Sequence, residues 1–139
     1  MLQLDGYLLF DGTCAEAMRF YEKTLGGKIE AMMKHSESPM AGKVPSAMDE
    51  RILHARINFG NRVLMASDWM VGQPYPGMHG FSLALGYQTV DEAERVFKQL
   101  AEGGNVTMPM QKTFWAETFG MVVDRFGTPW MVSGPEPKR

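Results

Sequence analysis

The chain holds a single cysteine, Cys14, among 139 residues. One thiol excludes an intrachain disulfide framework and suits a reducing compartment, so a cytoplasmic location is expected. No apolar run approaches the ~20 residues that span a bilayer. The first residues include Asp5 and lack a charged-then-apolar leader, so neither a membrane partner nor an export signal is expected. Charge of one sign is also missing: 14 Lys and Arg stand against 16 Asp and Glu, a formal net charge of −2. A nucleic-acid binder carries a basic face, so that class is excluded. What is present, 45% hydrophobic and 22% charged residues, is the mix of an ordinary globular domain. A chain of this length buries roughly two-thirds of its unfolded surface and needs no metal or disulfide to fold.

Two stretches repeat one another. Thr13 with Glu16, and Thr89 with Glu92, place a hydroxyl residue three positions before a carboxylate, the pattern of a capping box at a helix start. Ala17, Phe20, Tyr21 and Leu25 then follow helical spacing, as do Ala93, Val96, Phe97 and Leu100. Each helix ends in a glycine pair, Gly26-Gly27 and Gly103-Gly104, and an extended run follows, 29–32 and 106–110. Further strands are expected over 7–10, 52–59, 62–67, 81–85, 116–123 and 130–132, with Gly60-Asn61 as a hairpin turn. Each half reads strand–helix–strand–strand–strand. The predicted organisation is a first unit over 1–70, a linker over 71–76 and a second unit over 77–134, together one domain. The segment from His35 to Glu50, with Pro39, Gly42 and Pro45, reads as a mobile loop.

Alternation along the strands assigns faces. Leu53, Ala55, Ile57 and Phe59 belong under a helix, which leaves His54, Arg56 and Asn58 together on the opposite face. Phe81, Leu83 and Leu85 are expected in the core. The resulting fold class is α+β: two βαβββ repeats forming curled mixed sheets around an open trough, with the helices packed outside.

With that order in hand, the chain resembles the vicinal oxygen chelate superfamily of glyoxalases, bleomycin-resistance proteins and dioxygenases, and within it the PhnB-like branch. The resembling stretches are Tyr7 to Gly12, Cys14 to Ala17, Phe20-Tyr21, His54-Ala55, Leu64 to Asp68, Thr113 to Ala116, Asp124 to Gly127 and Trp130. Metal-dependent members carry His, Gln or Glu on the first and last strands of each unit. Carried across, the resemblance puts those positions near Gly6 or Tyr7, Met65 or Ser67, Ser82, and Met131, none a good ligand for a hard or borderline ion. The expectation is therefore no cofactor at the family's metal position. Branch members are often labelled methyltransferase-like, but no glycine-rich strand-to-helix loop with a following acidic residue is present, so a SAM methyltransferase is rejected.

Several side chains are candidates for function. His54 suits a general base, a hydrogen-bond donor or a ligand, and is the one catalytic candidate; the alternative is a cross-strand or dimer-contact histidine. Tyr7, Arg56, Trp115 and Glu117 join it as candidate ligand-binding residues, with Trp115 and Glu117 expected to share a face of one strand. His79 reads as a loop histidine and His35 as a solvated one. Two readings stand for Cys14 at its helix start: a reactive thiol, or a small buried packing residue. Met32, Met33, Met65, Met108, Met110, Met121 and Met131 all fall on expected strands, a lining that adapts to apolar ligands if it faces a pocket. Asp5, Asp68 and Asp124, at strand ends beside turns, are assigned structural roles.

Three functions remain open. The first is a pocket that binds or sequesters a hydrophobic or aromatic compound without the usual metal, in a homodimer. The second is a glyoxalase- or dioxygenase-like metalloenzyme with relocated ligands His54, His79 and Glu117. The third is a structural or partner-binding dimer.

Overall fold

In the computed structural model, which describes residues 1–138, the first unit runs from Met1 to Pro76 and the second begins at Gly77. Each has the order βαβββ. The first comprises β1 (Gly6–Phe10), α1 (Cys14–Leu25), β2 (Lys28–Lys34), β3 (Ile52–Asn58) and β4 (Val63–Asp68). The second comprises β5 (Leu83–Gly86), α2 (Val90–Ala101), β6 (Asn105–Gln111), β7 (Phe119–Val123) and β8 (Pro129–Ser133). Both sheets are four-stranded and mixed, in the orders β1-β4-β3-β2 and β5-β8-β7-β6. The outer pairs β1/β4 and β5/β8 are parallel and the rest antiparallel. No helix among the described residues is long and apolar enough to cross a membrane.

In the first unit α1 packs on one face of its sheet. Leu8 and Phe10 of β1, Ala55 and Ile57 of β3, and Ala66 of β4 are all at most 2% exposed, as are Cys14, Ala17, Met18 and Tyr21 of α1. Burying a side chain the size of Leu, Phe or Met contributes roughly 1.5–3 kcal/mol, so this layer carries most of the unit's stability. Gly26 ends α1 in the left-handed conformation at φ +84°, and its N–H donates to Glu22 O at 3.1 Å. A Cβ on the next residue, Gly27, would stand 2.6 Å from Ile57 and Phe59, so only glycine lets the chain turn this tightly onto β3. In the second unit Ala93, Val96, Phe97 and Leu100 of α2 form the corresponding layer with Val122, Trp130 and Val132.

The two helix starts differ from their shared sequence pattern. Thr89 caps α2, its hydroxyl oxygen accepting from Glu92 N at 3.1 Å. Thr13 makes no side-chain cap bond. Asp68, arriving on β4, takes that role: Oδ1 accepts from Gly12 N at 2.9 Å and Cys14 N at 3.0 Å, and Oδ2 accepts from Ile52 N at 2.8 Å. A carboxylate at a helix N-terminus gains from the dipole as well as the hydrogen bonds, which is why it displaces a hydroxyl. Asp124 fastens the second unit in the same manner. It accepts from Phe126 N, Thr128 N and Trp130 Nε1 at 2.9, 3.1 and 2.8 Å.

Other differences are local. The segment from His35 to Glu50 is not open chain: it holds 3-10 turns at His35–Glu37 and Ser46–Met48. Hydrogen bonds from His35 N to Arg51 O and from Ser36 N to Asp49 O close it on itself, and Met48 is 2% exposed. His35 is correspondingly buried, 8% exposed, rather than solvated. Phe81 lies ahead of β5 and is 45% exposed, so it is not a core residue. The segment after β4 folds back along β1, where the Tyr75 hydroxyl donates to Leu9 O at 2.6 Å.

Asp68→Ala leaves three backbone donors of the first unit without their acceptor. It is expected to lower unfolding free energy by about 3 kcal/mol, read from urea denaturation; an unchanged midpoint would contradict the capping role.

Candidate functional site

Residues of β1, β3 and β4 that alternate with the buried layer point away from α1, and the register fixes which of them are neighbours. Tyr7 pairs with Met65, Met65 with Arg56, and Arg56 with Ala31, so these four form one row across the sheet. His54 pairs with Met33 on β2. The Tyr7 hydroxyl and His54 Nδ1 share a hydrogen bond at 3.3 Å, and the two rings lie 5.9 Å apart between centroids. Tyr7, Leu9 and Met33 remain 48%, 38% and 41% exposed. The face thus combines a phenol, an imidazole and a guanidinium with exposed apolar surface.

Arg56 is held by a residue that strand alternation does not reveal. A register shift between Ile29 and Ala31 inserts Glu30 as the extra residue of a β-bulge. Glu30 Oε1 accepts from Arg56 Nε at 3.1 Å, and Oε2 accepts from Asn58 Nδ2 at 3.1 Å. The signal available in the sequence was a carboxylate inside an otherwise strand-like run, but the bulge that aims it depends on the pairing with β3.

The second unit places its candidates elsewhere. Trp115 and Glu117 do not share a strand face; they sit in the turn before β7. Thr113 shapes that turn, its hydroxyl oxygen accepting from Trp115 N at 3.3 Å and Ala116 N at 3.1 Å. Trp115 is edge-on to Phe114 and Phe119, at 4.8 and 5.3 Å. With Phe114 it borders a cavity of about 310 Å³, whereas Glu117 borders another of about 390 Å³ beside Thr89 and Asp91. Met108, Met121 and Met131 form one row across β6, β7 and β8, which ends at Ala84 of β5. His79 is an exposed residue ahead of β5.

These folds and faces define the protein class: a family model for the Glyoxalase/Bleomycin resistance protein/Dioxygenase superfamily matches residues 3–132, and the chain belongs to that superfamily. Among its relatives is Protein YjdN of Escherichia coli strain K12, 36% identical over 140 residues covering 95% of each chain. The crystal structure of protein PA1353 from Pseudomonas aeruginosa is 45% identical, with a TM-score of 0.91 over 99% of this chain and 100% of that one. A Bacillus cereus structure described as a putative 3-demethylubiquinone-9 3-methyltransferase, PhnB protein, shares the fold. It is 23% identical, with a TM-score of 0.79 over 96% and 99% of the two chains. The family model and YjdN carry the superfamily membership, and the PhnB protein shows that its fold is shared.

The superfamily implies a divalent metal in some members, and the residues here do not fit one. The first-strand and last-strand positions are Tyr7 and Met65 in the first unit, and Met131 on β8. Ser82 lies outside β5. Among the described residues no group of three or more His, Cys, Asp or Glu side chains is arranged to hold an ion. His54 belongs to the first unit, and His79 and Glu117 to the second.

Cys14 is fully buried at the start of α1. Burial, reinforced by the nearby Asp68 carboxylate, pushes its thiol from 9.0 up to about 12. This supports the packing reading over the reactive one, because the nucleophile is the thiolate. Because the folded thiol ionises above the unfolded one, its stabilising contribution is complete below pH 9.0 and lost as pH rises toward about 12. Two outcomes are expected: no reaction of the native thiol with a disulfide reagent until urea unfolds the chain, and a shallower alkaline loss of stability in Cys14→Ala than in the parent.

Proposed function

We propose that the chain is a small-molecule-binding member of the superfamily, which holds a hydrophobic or aromatic compound against the Tyr7–His54–Arg56 face of the first sheet. The observation that carries this reading is the hydrogen-bonded Tyr7–His54 pair on one face of the sheet with the exposed apolar side chains Leu9 and Met33. A tyrosine and a histidine committed to one another on a half-exposed face contribute little to stability, and their polar tips orient a bound ring. Met33 and Met65 supply polarizable, unbranched surface that conforms to varied shapes. No step of this reading passes through a metal, and a cytoplasmic location accords with its one, buried thiol.

Thermal melts with the neutral aromatic probe 1-naphthol test it. Stabilisation is expected to grow with the logarithm of free probe, about 2.7 kcal/mol at a hundred times the dissociation constant. Tyr7→Ala and His54→Ala each abolish most of that stabilisation. Stoichiometric divalent metal, lost in His54→Ala, would instead favour the metalloenzyme reading.

A second reading, a homodimeric partner-binding module, is favoured by Phe114. It is 91% exposed on a turn that the Thr113 hydrogen bonds make rigid, with Trp115 beside it at 47%. Exposed aromatics on a fixed turn are the residue type that anchors protein interfaces. On this reading the parent sediments as a dimer and Phe114→Ser shifts it toward monomer; a parent that stays monomeric at all concentrations contradicts it.

A further inference from the structure

The Arg56 guanidinium is engaged on one edge only. Glu30 takes Nε, Asn58 takes the other oxygen of Glu30, and neither terminal Nη nitrogen has a partner among the described residues, although the side chain is only 41% exposed. A guanidinium presents five donors in a plane, and a carboxylate accepts two of them side by side. An arginine free to wave in solvent loses rotamer entropy when it clamps an anion. Arg56 is already oriented through Nε, so its terminal fork is prepared. Bulges re-aim side chains, and the one between Ile29 and Ala31 sets Glu30 against Nε rather than against the fork.

The surroundings suit an anion with an apolar body. Lys28 pairs with Asn58 in the register, which puts a second cation on this face; Val63, the β4 partner of Asn58, donates its N–H to the Asp5 carboxylate at 3.2 Å. Beside the fork in the same row is Met65, and beyond it Tyr7 with its ring against His54.

We infer that this face selects small apolar or aromatic monocarboxylates: the carboxylate is taken by the Nη edge of Arg56, the ring lies over Met65 toward Tyr7, and Glu30 is the residue that positions the fork. The inference rests on the small-molecule reading above and names its ligand class. A surface ion pair with no ligand role is the alternative, and the experiment separates the two.

The test is calorimetric titration of the full chain with 1-naphthoate and with 1-naphthamide, which has the same ring and no charge. Naphthoate is expected to bind about tenfold more tightly than naphthamide. Arg56→Met weakens naphthoate about tenfold and removes its preference over naphthamide; Arg56→Lys, which keeps the charge without the fork, retains only part of that preference. Glu30→Ala weakens naphthoate several-fold even though it deletes a negative charge, and Glu30→Gln, which still accepts from Nε, restores the affinity. Equal binding of the two probes, or tighter naphthoate binding by Glu30→Ala, would overturn the inference and leave the small-molecule reading standing. If neither naphthoate, naphthamide nor 1-naphthol binds, both fall.

Discussion

The parallel pairing of β1 with β4 is the constraint on which the first unit depends. It joins the strand that opens the unit to the strand that ends it, aligning Gly6 to Phe10 with Leu64 to Asp68. Contacts so distant in sequence cost loop-closure entropy before they return anything. Asp68 secures the junction from its last position, where one carboxylate accepts from both the chain before α1 and the first residue of β3. The same pairing places Tyr7 beside Met65 and therefore one strand from Arg56. Capping of the helix and assembly of the polar face are thus two results of one register.

The duplicated units keep this backbone and differ in what they display on it. A row runs Tyr7, Met65, Arg56, Ala31 in the first sheet and Ala84, Met131, Met121, Met108 in the second. One methionine stands on the final strand of each row. Around it the first unit presents hydrogen-bonding groups, and the second presents thioethers. Polar groups fix orientation and thioethers tolerate variation in shape, so one backbone plan presents two different sets of side chains.

Much of the fold was legible because it rests on local signals. Helical periodicity, paired glycines and the Gly60 turn marked the order of elements, and alternation separated Ala55 and Ile57 from His54, Arg56 and Asn58. At the start of β3, however, the buried residue is Ile52 and not the expected Leu53. The site was legible only as far as alternation holds. Glu30 escaped because a bulge depends on the partner strand, and Trp115 and Glu117 were misplaced because the Thr113 turn interrupts a run with the composition of a strand. The cap on α1 followed the same rule: Thr13 had the right neighbours, but the carboxylate that does the capping lies 54 residues from Cys14 in sequence. His35 looked like loop because Pro39, Gly42 and Pro45 surround it, whereas backbone bonds to 49 and 51 bury it.

Methyl-labelled methionines offer the most direct view of whether the first sheet's outward face binds a ligand. Met33 and Met65 report from that face, Met18 and Met48 from buried positions of the same unit, and Met108, Met121 and Met131 from the second sheet. Titration with 1-naphthoate, followed by methyl NMR, should move Met33 and Met65 saturably while Met18 and Met48 stay fixed. Shifts confined to the second sheet's methionines, or no saturable shift at all, would contradict the account.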